Sequence, residues 1–138
     1  MVLRAPVLPV EKRLDDPSIA PSTPLWHYID PWQIYWPSGA NEPIVSTDAF
    51  HSEEISAELS DTTTLKEARA AQPGCGIAEL IASDVRAAVD GNGVAMIIAR
   101  DPNRAAHGLM YRGPQMAGSN TSSQAKFLRS RARLLPQF

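Results

Sequence analysis

Asn92-Gly93-Val94-Ala95-Met96-Ile97-Ile98-Ala99-Arg100-Asp101-Pro102-Asn103 decides how this chain folds. Asn-Gly opens an uninterrupted apolar run from Val94 to Ala99. A run of that length bounded by turn residues predicts a central strand, buried on both faces. Asp101-Pro102-Asn103 then turns the chain, and the stretch from His107 to Tyr111 is placed to run back beside it. An antiparallel pair of this kind is the seed of an α+β fold.

Working upstream, Ser83-Asp84 offers a cap for a helix over 85–89 that Gly91 ends. Residues 77–82 fit either strand or helix. Thr63 or Thr64 caps a helix over 65–72, with Glu67 in its first turn and Pro73-Gly74 stopping it. Ile55, Ala57 and Leu59 alternate with Ser56 and Glu58, the pattern of a half-buried strand. Residues 25–36 hold all three tryptophans of the chain. Pro31 divides that segment into two short strands, and Trp32, Ile34 and Trp36 share one face of the second. Pro37-Ser38-Gly39 with Asn41-Glu42-Pro43 returns the chain through Ile44 and Val45 as a hairpin.

Residues 1–24 read as an extended Pro-rich arm, leaving 25–138 as a single domain. Five prolines (Pro6, Pro9, Pro17, Pro21 and Pro24) bias the arm's backbone toward extended conformations. It either stays mobile or lies along a surface, and Val7, Leu8, Val10 and Leu14 supply apolar contacts for the second case. Downstream, 113–120 reads as a loop. Thr121 or Ser122 then caps a last helix of roughly fourteen residues ending at Pro136. On it Lys126, Arg129 and Arg133 fall on one side, and Phe127, Leu128, Ala132, Leu134 and Leu135 on the other. The expected architecture is therefore a small, mostly antiparallel sheet with two or three helices, the last amphipathic and basic.

Charge is segregated along the chain. All fifteen carboxylates precede Pro102, while six cations (Arg104, Arg112, Lys126, Arg129, Arg131 and Arg133) follow it. The total of −2 hides this division, which points the carboxyl-terminal part toward an anionic partner. The hydrophobic share of 43% is ordinary for a globular protein, and no run of apolar residues is long enough to span a bilayer. The amino terminus lacks signal-peptide character, and the single Cys75 has no partner for an internal disulfide, so a cytoplasmic location is expected.

Three groups of residues could carry function. Arg104, Arg112, Lys126, Arg129 and Arg133 could meet phosphates or an acidic protein surface, or simply be solvated. Trp26, Trp32, Tyr35 and Trp36 could anchor a protein partner or stack on bases, or fill the core. His27, His51 and His107 stand at no zinc-like interval, so neither metal nor cofactor is expected. His107 beside Arg104 and Arg112, or His27 on its strand, would suit the general acid–base work of a small metal-independent ribonuclease.

A strand bearing His27, then Ser46-Thr47, then Glu53, Glu54 and Glu58, resembles the layout of small ADP-ribosyltransferase domains over residues 26–58. The resemblance implies that His27 and Ser46-Thr47 hold NAD while a downstream glutamate orients the reaction. Asp48 stands where that pattern has a second serine. The reading preferred from the residues is a non-enzymatic accessory protein. Its arm and aromatic segment dock on a protein partner, and its basic helix faces an anionic one, with nucleic acid a candidate. A small toxin-like enzyme and a structural subunit of a larger assembly are the alternatives.

Overall fold

The computed structural model describes residues 6–112 and 122–136. The loop expected over 113–120, its Thr121 cap and the first five residues of the arm lie outside them. The fold is α+β. Strands β1 (Pro24–Ile29), β4 (Glu54–Leu59), β5 (Gly76–Ile81), β6 (Ile97–Arg100), β7 (His107–Tyr111) and β8 (Arg133–Leu134) form a sheet of order β6-β7-β4-β1-β5-β8. Every pairing in it is antiparallel. A separate two-stranded hairpin joins β2 (Ile34–Tyr35) to β3 (Ile44–Val45). The helices are α1 (Leu65–Ala71), α2 (Ala82–Ala87) and α3 (Ser122–Arg131).

Period-two alternation sorts the sheet's side chains into two layers. On one face Leu25 and Ile29, Ile55 and Leu59, Ala78 and Leu80, Ile98 and Met110 form the main core. Val85 of α2, Ala125 and Leu128 of α3, Phe50 and Ile19 cover that face. The opposite face carries two smaller clusters. At one end Ala68 and Leu65 of α1 pack on Trp26, Ile77 and Leu135. At the other, Leu8 of the arm packs on Ile97, Ala99, Leu109 and Tyr111. Between them Glu54, Ser56 and Glu58 of β4 share this second face with His107, the register partner of Glu58.

Residues 6–23 are bound to the body. Asp16 donates its N–H to the Ile98 carbonyl at 2.8 Å, and Asp15 Oδ1 accepts from Ile98 N–H at 3.0 Å. Arg13 lies over the Tyr111 ring, 4.6 Å from its centroid, and pairs with Glu53 at 2.9 Å. Arg86 clamps the arm through Asp15 and the carbonyls of Asp16 and Ile19, each at 2.9 Å. Arg100 adds ion pairs to Asp16 and Asp61. With Ile19 only 1% exposed, the arm supplies a core residue, so the structure resolves the choice between mobility and docking in favour of docking.

Three elements depart from expectation, and a fourth settles an open choice. The strand read at 94–99 begins only at Ile97 and lies at a sheet edge, because Met96 N–H is taken by the Ala88 carbonyl and Ala95 bridges Val89. Its apolar continuity reports burial of both faces, one by the core and one by the arm, and not pairing on both edges. Helix α2 starts at Ala82, ahead of the expected Ser83-Asp84 cap. Its first N–H groups are met by the arm: Ala82 donates to Thr23 O and Ser83 to Pro21 O. Residues 76–81 are strand, resolving the ambiguous segment.

The last helix ends at Arg131, not near Pro136. Arg133 and Leu134 pair with Glu79 and Ala78 instead, and Leu135 N–H donates to Ile77 O. The pairing satisfies backbone groups along the β5 edge that a helix, bonded within itself, would leave open.

Candidate interaction surface

Pro31 starts a 3-10 turn over Pro31–Gln33 in place of a continued strand, with Gln33 returning its side-chain oxygen to Asp30 N–H. That turn lifts Trp32 off the expected shared face. Ile34 points inward against the core, while Trp32 is 78% and Trp36 63% exposed. Two indoles presented on one short hairpin are an uncommon use of apolar surface in a small protein. Trp26 behaves oppositely. It is buried under α1, with its Nε1–H on Glu79 at 3.0 Å, so it is unavailable to a partner.

Arg129 ties this hairpin to α3. Its Nε–H donates to the Val45 carbonyl at 3.1 Å and its Nη2 to the Tyr35 hydroxyl at 2.9 Å. The guanidinium also stands 6.0 Å from the Tyr35 ring centroid. Beside this strut a cleft of about 660 Å³ opens between β3 and β8, lined by Ile44, Val45, Arg129, Arg133 and Leu134. Lys126 and Arg131 are exposed on α3, with Arg131 5.0 Å from the Phe127 ring centroid. Arg133 projects from β8, so the three cations expected at helical spacing do not form one helical stripe.

None of Lys126, Arg129, Arg131 and Arg133 forms an ion pair with a carboxylate among the described residues, where Arg13, Arg86, Arg100 and Arg104 all do. Two expected members of the anion-facing set lie elsewhere. Arg104 Nη2 contacts both oxygens of Glu58, at 2.9 and 2.8 Å. Arg112 is buried, and its guanidinium donates to the Phe50 carbonyl. Burial lowers its affinity for the proton. Neither extends the cationic surface.

The histidines separate by face. His27 lies on the core side, its Nδ1 2.7 Å from Ser56 O and its Nε2 2.8 Å from Ala49 O, with the ring beside Phe50. Both nitrogens meet carbonyl oxygens, so the ring staples β4 to the 3-10 turn Thr47–Phe50 and offers no free nitrogen to a substrate. Ser46 caps that turn by accepting from Asp48 N–H at 3.2 Å. Glu53 pairs with Arg13, while Glu54 and Glu58 occupy the opposite face of the sheet from His27. The residues of the ADP-ribosyltransferase-like layout therefore do not converge on one cleft.

His107 lies on the other face with Nδ1 2.8 Å from Asp101 Oδ2. It lines a cleft together with Arg104, as the acid–base reading requires, but Arg112 is absent from it. Sequence reasoning missed Asp101 as the partner of His107. Both flank the β6–β7 turn, and a carboxylate six residues before a histidine across a reversal was the available signal. Among the described residues no cluster of three or more His, Cys, Asp or Glu side chains could hold a metal ion, and no helix is long and apolar enough to cross a membrane.

No family model matches the chain, and neither the curated proteins nor the solved structures give a match.

Proposed function

We propose that this protein is a non-enzymatic interaction module. Trp32, Trp36 and Tyr35 dock on a protein partner, and Lys126, Arg129, Arg131 and Arg133 face an anionic one. The cations carry the proposal: carboxylates of the chain's first hundred residues neutralise the body's arginines and leave these four unpaired among the described residues. Exposed indoles beside unpaired cations are the two ingredients of single-strand recognition, stacking and phosphate contact. Nucleic acid is therefore the first anionic partner to test. The arm drops out of the docking surface, because the sheet edge already occupies it. We assign the protein to the cytoplasm on its lone unpaired cysteine.

The test is single-stranded oligonucleotide binding by fluorescence anisotropy at low and moderate salt. A Lys126→Gln, Arg131→Gln, Arg133→Gln variant should bind more weakly, and its log–log salt slope should fall by about 2. Arg129 is left intact there because it braces the hairpin. Equal affinity and equal slope would end the nucleic-acid reading, and a partner selected by Trp32 and Trp36 alone would then be of neutral surface.

A further inference from the structure

The second face of the sheet holds a cleft of about 500 Å³ that the interaction surface does not use. Its walls are the two clusters that only partly cover this face: the arm at Val7 and the end of α1 at Ala71 and Gln72. Its floor is the polar strip of β4 with His107 of β7. Tyr28, Glu54, Ser56, Gln72, Arg104 and His107 all line it. A volume of this size is typical of small-molecule sites.

The hydrogen-bonding capacity left open there defines a ligand. Glu58 holds Arg104 through both oxygens, and the Tyr28 hydroxyl, which donates to the Ala68 carbonyl at 2.7 Å, stands 3.3 Å from Glu58 Oε1. Burial, then the Glu58 charge, push the Tyr28 phenol up to about 12, so it stays protonated. Asp101 gives Oδ2 to His107 and Oδ1 to Asn103 N–H, and Glu54 Oε2 takes Tyr111 O–H at 2.5 Å and Val7 N–H at 2.7 Å. Five groups lining the cleft make no such bond among the described residues: His107 Nε2, the Ser56 hydroxyl, Glu54 Oε1, the Gln72 amide N–H groups and the outer N–H groups of Arg104. With Nδ1 committed to Asp101, Nε2 is the ring nitrogen left to the cleft, and in the tautomer whose Nδ1–H donates to that carboxylate it carries a lone pair. The floor therefore offers both acceptors and donors.

Charge narrows the choice. Glu54 and Glu58 outnumber Arg104 in the cleft's lining, and Asp101 stands behind His107, which disfavours a phosphorylated or carboxylated ligand. We propose that this cleft binds an uncharged small molecule through a vicinal diol, one hydroxyl donating to His107 Nε2 and its neighbour accepting from Arg104. A hydroxyl group both gives and takes a hydrogen bond, which is the pattern the floor presents. A sugar ring and the ribose of a nucleoside share that chemistry. The two clefts share no lining residue, so either can fail without the other.

The experiment follows the His107 imidazole signals of the full chain by NMR during titration with glucose, adenosine, 2′-deoxyadenosine or inorganic phosphate. Glucose or adenosine should shift His107 saturably and leave His27 unmoved, and which of the two does so distinguishes the sources. The deoxynucleoside, lacking the diol, and phosphate should leave it unmoved. Ser56→Ala, at an exposed position that tolerates truncation, should weaken the response about three- to tenfold if its hydroxyl joins the diol. An equal response to 2′-deoxyadenosine, a stronger response to phosphate, or no saturable shift with glucose or adenosine would overturn the proposal.

Discussion

Asp15 closes the open edge of the sheet at Ile98. Its carboxylate accepts the Ile98 amide at 3.0 Å, and the next residue returns an N–H to the Ile98 carbonyl at 2.8 Å. The arm thus imitates a seventh strand for one residue, long enough to cover the groups that would template pairing with another chain.

Replacing Asp15 with Ala should lower stability by about 1–2 kcal/mol, since it removes a charge-assisted bond to a backbone amide and a partly exposed ion pair to Arg86. Denaturant unfolding gives the loss, and hydrogen exchange should show the Ile98 amide losing more protection than that of Leu80. Uniform loss of protection would mean that the arm contributes bulk packing only.

Gly108 is the one position where β7 has no room for a side chain. A Cβ built there would stand 2.8 Å from Leu59 Cδ2 and 3.0 Å from its Cγ, and Leu59 is fully buried. Gly108→Ala should therefore destabilise by about 1–3 kcal/mol through overpacking. A neutral result in thermal unfolding would show that Leu59 can change rotamer.

Arg129 and Lys126 should part company when each becomes Gln. Arg129→Gln loses bonds to Val45 O and Tyr35 Oη and should cost about 1 kcal/mol while loosening the hairpin. Lys126→Gln, at an exposed position, should stay within about 0.5 kcal/mol of the parent. Equal costs for the two would remove the bracing role of Arg129.

His27 makes stability depend on pH. Burial lowers its proton affinity from the ordinary 6.5, and the Ser56 and Ala49 carbonyls oppose this only in part. The unfolded chain then takes the proton first. Stability should be highest above about pH 6.5 and decline as pH falls from there toward the folded-state value. Urea midpoints taken from about pH 7 to about pH 5 should fall in the parent and stay flatter in His27→Gln. The reverse sign, with stability rising on acidification, would show that the two carbonyls win and the ring folds as imidazolium.

How far these features could be read in advance varied with the range of the forces behind them. The Thr64 cap was legible because its hydroxyl bonds Glu67 N–H only three residues away. The β6–β7 reversal was legible from Asp101-Pro102-Asn103. Cationic exposure on α3 followed from charge segregation, but the neutralisation of Arg104 did not, since Glu58 is forty-six residues distant and meets it only through the β4–β7 register. Likewise no local pattern could place Ile98 at an edge, because an apolar run looks alike whether its second face is covered by a helix or by an arm.

Hydrophobic period, turn chemistry and charge order acted within a few residues, so the chain alone settled an antiparallel α+β protein with a basic far end. Which arginines stay unpaired, which tryptophans are wet, and which histidine keeps a free nitrogen in a cleft were settled by folding. Those outcomes turn on contacts between segments dozens of residues apart, and burial and pairing come into being only when the segments meet.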